Sequence, residues 1–258
     1  MLVQRIKSRV SLTRLRRRLK RWAVRDRAWV GRIASRLGTV RVEECRFGID
    51  SPLISDPLKS RLLYGRYERT ERELLRKHLD PSLPVIELGG GMGVVACIVN
   101  KRLDQPERHV VVEANRLMLP LLARNRALNG GSFTLVHGAI AYGRKHVALS
   151  TTSDLLASQT DPVETGDVPV VQLHDLLARY SFERCTLICD IEGAEIELVN
   201  HEGALLTRRV QVIVLEEHPE YCSADLRGAM VARLEQSGFS RIDSLRKVSV
   251  LRNRLLAP

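Results

Sequence analysis

The chain has 258 residues, 44% hydrophobic and 28% charged, which is the balance of a globular protein able to bury one sizeable core and carry a short extension. No apolar run approaches the roughly 18 residues that a membrane-spanning helix requires, so that class is excluded. The formal charge of +11 sits at one end: residues 1–36 hold 13 Arg and Lys against one acid, Asp26, and the remainder is close to neutral.

Within residues 1–36, Leu12, Leu15, Leu19, Trp22, Trp29 and Ile33 recur at roughly helical intervals, which predicts a basic amphipathic helix. Three partners suit it: anionic lipid head groups, a nucleic acid, or its own domain. Trp22 and Trp29 are the only tryptophans, and amphipathic rings suit a head-group layer better than RNA. The five cysteines (Cys45, Cys97, Cys185, Cys189, Cys222) are an odd number, and the N-terminus lacks an apolar stretch of secretory type. The expectation is a cytoplasmic protein held peripherally at the inner face of the membrane through residues 1–36.

Residues 38–57 hold short strand-like pieces broken by Gly, Asp and Pro, and read as a cover segment or small hairpin. From Tyr67 to Leu79 the spacing of Leu74, Leu75 and Leu79 predicts a helix that Pro81 and Pro84 end. Strands and helices then alternate: strand 84–88, helix 92–102, strand 108–113, helix 116–129, strand 133–137, helix 172–180, strand 185–190, helix 193–206, strand 210–216 and helix 223–237. Segments 239–243 and 247–252 close the chain as a hairpin. The expected organisation is an extension over 1–36, a cover segment with its leading helix over 37–83, and a main domain over 84–258. Such alternation implies an α/β fold with a mainly parallel sheet covered on both faces. Residues 141–168, dense in Ser, Thr, Asp and Gly, interrupt the rhythm as a long excursion of the kind that often forms a lid.

The run V-I-E-L-G-G-G-M-G, Val85 to Gly93, joins a buried strand, the acid Glu87 and a turn in which Gly89, Gly91 and Gly93 free the backbone to approach a ligand. A dinucleotide fingerprint requires a sixth-position glycine where Val94 stands, and the Gly-Lys-Ser/Thr ending of a Walker loop is absent. Twenty residues past the last glycine, Glu113 closes the run Val110–Val112, placed to accept both hydroxyls of a ribose. The spacing E-x-G-x-G-x-G resembles the first motif of class I S-adenosylmethionine (SAM) methyltransferases.

Farther on, T-L-I-C-D-I-E-G-A-E-I-E-L-V (Thr186–Val199) places Asp190 at a strand end and Glu192 and Gly193 at the turn into a helix. This block resembles the Asp-x-Glu-Gly-x-Glu signature of the FkbM-type SAM-dependent methyltransferases. The resemblance spans about residues 60–245 and includes Tyr67, Glu68 and Glu71, V-E-A-N at Val112–Asn115, Asn125 and Asn129, and E-E-H-P at Glu216–Pro219. It departs from the family's small glycine loop, since Glu87 stands in place of Asp and Gly90-Gly91 in place of Ala-Asn. The resemblance implies a Rossmann-like class I methyltransferase fold: a seven-stranded mainly parallel sheet, helices on both faces and an antiparallel last strand. It also implies O-methylation of a hydroxyl on a sugar, glycolipid or secondary metabolite, with SAM as cofactor. The expected cofactor residues are Glu87, Gly89, Gly91, Gly93, Glu113, Asn115, Ala139 and Asp190.

Deprotonating an aliphatic hydroxyl calls for a base beside the methyl group. The candidates lie after two neighbouring strands: Asp190 and Glu192, then Glu216, Glu217 and His218. Asp190 and His218 are favoured, with Glu217 and Glu192 beside them and no metal. In an alternative, Asp190 with Glu216 or Glu217 holds Mg²⁺. Two further readings remain open, an RNA methyltransferase using the basic arm and a non-catalytic SAM-fold binding module. Against the first, Asp190 is followed by I-E-G and not by the Pro-Pro-aromatic turn typical of enzymes acting on exocyclic base amines.

Overall fold

The computed structural model describes residues 28–151, 158–161 and 166–256. The chain divides into two compact units, Met1–Tyr67 and Glu68–Pro258. Most of the expected basic helix, residues 1–27, lies outside the described residues.

In the first unit, α1 covers 28–34 and a 3-10 turn follows at Ser35–Leu37. Trp29, Ile33 and Leu37, each four residues apart, are exposed there. The strands β1 (Thr39–Val42) and β2 (Cys45–Gly48) pair antiparallel as the hairpin expected within 38–57. Val40, Val42, Cys45 and Phe47 are buried while Arg41 and Arg46 face outward, which is the alternation of a half-covered hairpin. Helix α2 (Asp56–Leu63) completes the unit, with Pro57 in its first turn.

The second unit opens with α3 (Arg69–His78), so this helix groups with the sheet and not with the cover segment. Then follow β3 (Val85–Leu88), α4 (Val94–Asn100), β4 (His109–Glu113), α5 (Leu119–Leu128) and β5 (Thr134–His137). After the excursion come α6 (Leu173–Arg179), β10 (Cys185–Cys189), α7 (Glu195–Arg209), β11 (Val210–Glu216), α8 (Ala224–Gln236), β12 (Phe239–Leu245) and β13 (Val248–Asn253). These strands build a seven-stranded sheet in the order β12-β13-β11-β10-β3-β4-β5. The five on the β5 side run parallel, and β13 lies antiparallel to both β11 and β12. This is the fold class expected from the sequence, with the last strand inserted between β11 and β12.

Both faces of the sheet are buried. Val85, Ile188, Val212 and Val214 pack with Leu74 and Leu75 on one side, and the intervening Ile86, Leu187, Ile213 and Leu215 join the helices on the other. Near-continuous apolar strands of this kind are what a sheet covered on both faces requires. Strand order reverses between β3 and β10, which opens a crevice at their carboxyl ends.

The excursion and its two flanks hold β6 (Ala139–Ile140), β7 (His146–Thr151), β8 (Ser158–Asp161) and β9 (Val168–Val171), a four-stranded sheet ordered β6-β9-β7-β8. Glu202 ties its start to the main domain. It interrupts helical geometry in α7 (φ −117°, ψ 17°), and its buried carboxylate accepts Tyr142 Oη (2.9 Å) and the backbone N–H groups of Leu173 (3.0 Å) and His174 (2.9 Å). The last two are orphan donors of the α6 N-terminus, capped from outside the helix. Glu202→Ala is expected to lower unfolding free energy by about 3 kcal/mol, since hydrogen bonds to a charged acceptor are lost and buried donors stranded. Urea unfolding measures the loss, with Glu202→Gln intermediate because one amide oxygen remains to accept.

Candidate active site

The glycine loop leaves β3 at the reversal of strand order. Gly89, Gly91 and Gly93 all have positive φ (92°, 50° and 82°), a region that favours glycine. The N–H groups of Gly89 and Gly90 donate to Val112 O on β4, which anchors the loop over the next strand. A Cβ on Gly90 would lie 2.5 Å from Val111 Cγ1, so the glycine between the three is also required by packing.

Glu113 stands at the end of β4, where the sequence predicts it, and is 7% exposed. Its Oε2 accepts from Gly91 N and its Oε1 from Asn115 N, both at 2.6 Å, so each oxygen keeps a lone pair for a ligand. Burial pushes this carboxyl up to about 7, against the lowering effect of those two N–H groups. Asn115 accepts Leu117 N through Oδ1, and its own side chain shapes the turn that follows Glu113.

Two further expected cofactor residues are deeply buried. Glu87 is 2% exposed in β3, with Oε2 3.3 Å from the fully buried His109 Nε2. Burial drives Glu87 well above the carboxylate range and pulls His109 down to about 3, so it disfavours the charged form of each. Ala139 packs with Ala141, Val147 and Val168 in the core of the small sheet.

Across the crevice the D-I-E-G-A-E block and E-E-H-P converge on one imidazole. His218 is 3% exposed, and four carboxylates surround it. Its Nε2 lies 3.1 Å from Asp190 Oδ1, 3.4 Å from Glu192 Oε2 and 4.0 Å from Glu216 Oε1, while Nδ1 lies 3.0 Å from Glu195 Oε1. Glu195, buried and overlooked as a site residue at the sequence level, also accepts Ile191 N (3.0 Å) and Gly193 N (2.9 Å). It therefore braces both the Asp190–Gly193 loop and the imidazole. Glu192 adopts φ 54°, a backbone conformation uncommon for a side-chain-bearing residue and frequent at functional sites.

Glu217 points away. Adjacent residues at a strand end face opposite sides of the sheet, and Glu217 instead accepts Ser249 Oγ (3.1 Å) and lies 3.9 Å from Arg227 and Arg241. Its expected place beside Asp190 is taken by Glu216, which also interacts with the buried Glu71 of α3.

The charge in the cluster is uneven. Burial raises Asp190 against its contacts with His218, and burial pushes Glu192 up to about 7. Burial, then Glu71 and Asp190, push Glu216 up to about 10. Burial alone would lower His218, but Asp190 and Glu195 push it up to about 11. An imidazole so held has no free lone pair near neutrality, so the geometry favours His218 as a partner of the carboxylates over an unencumbered general base.

No protein-family model matches the chain, and no curated protein matches it either. Its fold is similar to solved structures at low identity. Ribosomal protein L11 methylase from Lactobacillus delbrueckii subsp. bulgaricus is 12% identical with a TM-score of 0.44, over 73% of this chain and 80% of that one. Precorrin-6y C5,15-methyltransferase from Geobacter metallireducens is 15% identical with a TM-score of 0.42, over 70% and 84%. Aeropyrum pernix fibrillarin, solved with natively bound S-adenosyl-L-methionine, is 11% identical with a TM-score of 0.40, over 69% and 70%.

Proposed function

We propose that this protein is a SAM-dependent methyltransferase acting on a hydroxyl oxygen, with an FkbM-type signature and a sugar, glycolipid or secondary metabolite as acceptor. The observation that carries the reading is the coupling of the glycine loop to Glu113 through Gly91 N–H at the reversal of strand order. A loop of positive-φ glycines beside a strand-terminal carboxylate with spare lone pairs fits a ribose and its attached chain. When bound, SAM supplies an electrophilic methyl group on a sulfonium. Glu113 holds the two ribose hydroxyls, the Gly89–Gly93 backbone allows close approach, and Asp190 closes the crevice from β10. Asp190, Glu192 and His218 form the acceptor side, where an incoming hydroxyl is oriented and relieved of its proton.

Calorimetric titration with SAM tests the reading. Gly91→Val strains the backbone at φ 50° and displaces the N–H that holds Glu113, so binding is expected to be lost. Glu113→Ala is expected to weaken binding by about 1.5–3 kcal/mol, the range for hydrogen bonds to a charged group. Unchanged affinity in both variants, with melting curves showing them folded, contradicts the proposal.

The same site predicts a pH dependence. The ionised Glu113 accepts both hydroxyls, whereas the protonated form loses an acceptor. Binding therefore favours the ionised form and releases a proton wherever free Glu113 holds one. With that carboxyl at about 7, SAM affinity should rise from pH 6 to pH 8 and level off above. Glu113→Gln should flatten this rise, which titrations at several pH values will show.

A further inference from the structure

Asp190, Glu192 and His218 each offer one ligand atom, and those atoms all lie within 4.8 Å of one another. We propose that these three residues form a binding site for one divalent transition-metal ion of the Mn²⁺ or Zn²⁺ class.

Three independent features carry this assignment. The first is spacing: His218 Nε2 stands 3.1 Å from Asp190 Oδ1 and 3.4 Å from Glu192 Oε2. Ligands bound at about 2.1 Å are separated by about 3.0 Å along an octahedral edge and about 3.4 Å along a tetrahedral one. Both separations from Nε2 thus match edges of a coordination polyhedron.

The second is an orphaned acceptor. Asp190 Oδ1 is buried, and the His218 Nε2 beside it at 3.1 Å is out of line for a hydrogen bond, so the ion pair alone offsets its burial. A carboxylate oxygen removed from water without a donor is costly, and a cation at the shared focus of the cluster resolves it.

The third is the brace behind the imidazole. Glu195 engages Nδ1 from the far side and is itself held by two backbone N–H groups, so the ring is oriented with Nε2 toward Asp190 and Glu192. A carboxylate on one imidazole nitrogen and a metal on the other is the usual supporting arrangement, because it fixes both tautomer and ring plane, and the ion displaces the Nε2 proton that the carboxylates otherwise keep on the ring. Two carboxylates and one imidazole suit Mn²⁺ or Zn²⁺ better than Mg²⁺, which favours oxygen donors and retained water. From sequence no metal is expected, and the Mg²⁺ alternative is Asp190 with Glu216 or Glu217; here Glu217 faces away, and Glu192 and His218 join Asp190. Binding of the ion stands on geometry alone. Its use, orienting and acidifying the acceptor hydroxyl, rests on the methyltransferase reading.

The experiment uses the full chain, stripped with EDTA and desalted, and titrated with Mn²⁺ while electron paramagnetic resonance follows the free ion. One saturable Mn²⁺ per chain is expected, displaced by Zn²⁺. Asp190→Asn and Glu192→Gln preserve shape and should each weaken it at least tenfold, while Glu217→Gln should bind as the parent does. Absence of saturable uptake of either ion, or uptake undiminished in both variants, overturns the site. SAM titration of the same stripped samples separates the two proposals. SAM binding without metal uptake overturns the metal site alone, and metal uptake without SAM binding supports the site while overturning the methyltransferase reading.

Discussion

Gly89→Ala is expected to cost about 4 kcal/mol of stability and to remove the crevice with it. A Cβ built on Gly89 falls 1.8 Å from the carbonyl oxygen of Asp190 and 2.8 Å from its carbon, and neither is the movable tip of a side chain. The backbone on both sides is tied: Asp190 N donates to Leu88 O at 3.0 Å, and Gly89 N to Val112 O at 3.0 Å. Relief would require β3 and β10 to part at the place where the strand order reverses. The residue also has φ 92°, so strain of about 1–3 kcal/mol adds to an overpacking cost of similar size. For a chain of this length the sum corresponds to a fall in melting temperature of roughly 8–16 °C. Gly143→Ala separates the two contributions, because Gly143 has φ 72° and nothing lies within 4 Å of the place its Cβ would take, leaving backbone strain alone. Equal melting temperatures for the two variants would show that the strands separate freely.

That close approach could not be read from the sequence, although the glycine could. The strands of the main sheet were legible because β-branched runs such as Val110–Val112 and Val212–Val214 are bounded by turn residues and separated by helical spacing. Glu113 was legible because its distance from the glycine loop is fixed by the length of one helix and one strand. Which strand would lie against Gly89 depends on the order of strands in space, and adjacency of β3 to β10 joins residues about 100 positions apart in the chain.

The same limit explains the misplaced carboxylates. Glu216 and Glu217 are equivalent in sequence, and only the register of β11 against β13 decides which faces the crevice. Glu195 resembles any acid in the first turn of a helix, a position that the helix dipole favours, and its partner His218 is 23 residues away. One signal was available: Glu195 is the last acid of the Asp-x-Glu-Gly-x-Glu block, and its two backbone contacts, Ile191 and Gly193, lie inside that block. The pairing of β7, β8 and β9 was hidden for another reason. Their sequences, HVALST, SQTD and VPVV, have too little apolar alternation to declare a face, and their order is set by contacts across the excursion.

Glu195→Ala should be the most damaging substitution in the acceptor-side cluster, at about 3–5 kcal/mol, the range for removing one partner of a buried charged pair. Glu195 is 2% exposed, and truncation leaves Ile191 N, Gly193 N and His218 Nδ1 without an acceptor in a region that water does not reach freely. Unbraced, the Asp190–Gly193 loop has no reason to keep Glu192 at φ 54°, and the imidazole can rotate away from Asp190. Glu195→Gln discriminates this role from simple volume filling. Its amide oxygen, in the place of Oε1, can still accept Ile191 N and His218 Nδ1, but its NH₂ then faces the donor Gly193 N, so about half the loss should remain. The NMR signal of the His218 ring gives a second readout, since loss of the Glu195 contact at Nδ1 changes the ring's protonation and chemical shift while a merely packed ring does not. A loss below about 1 kcal/mol for Glu195→Ala, with an unchanged His218 signal, would show that the imidazole is held by Asp190 and Glu192 alone and that the buried carboxylate behind it is dispensable.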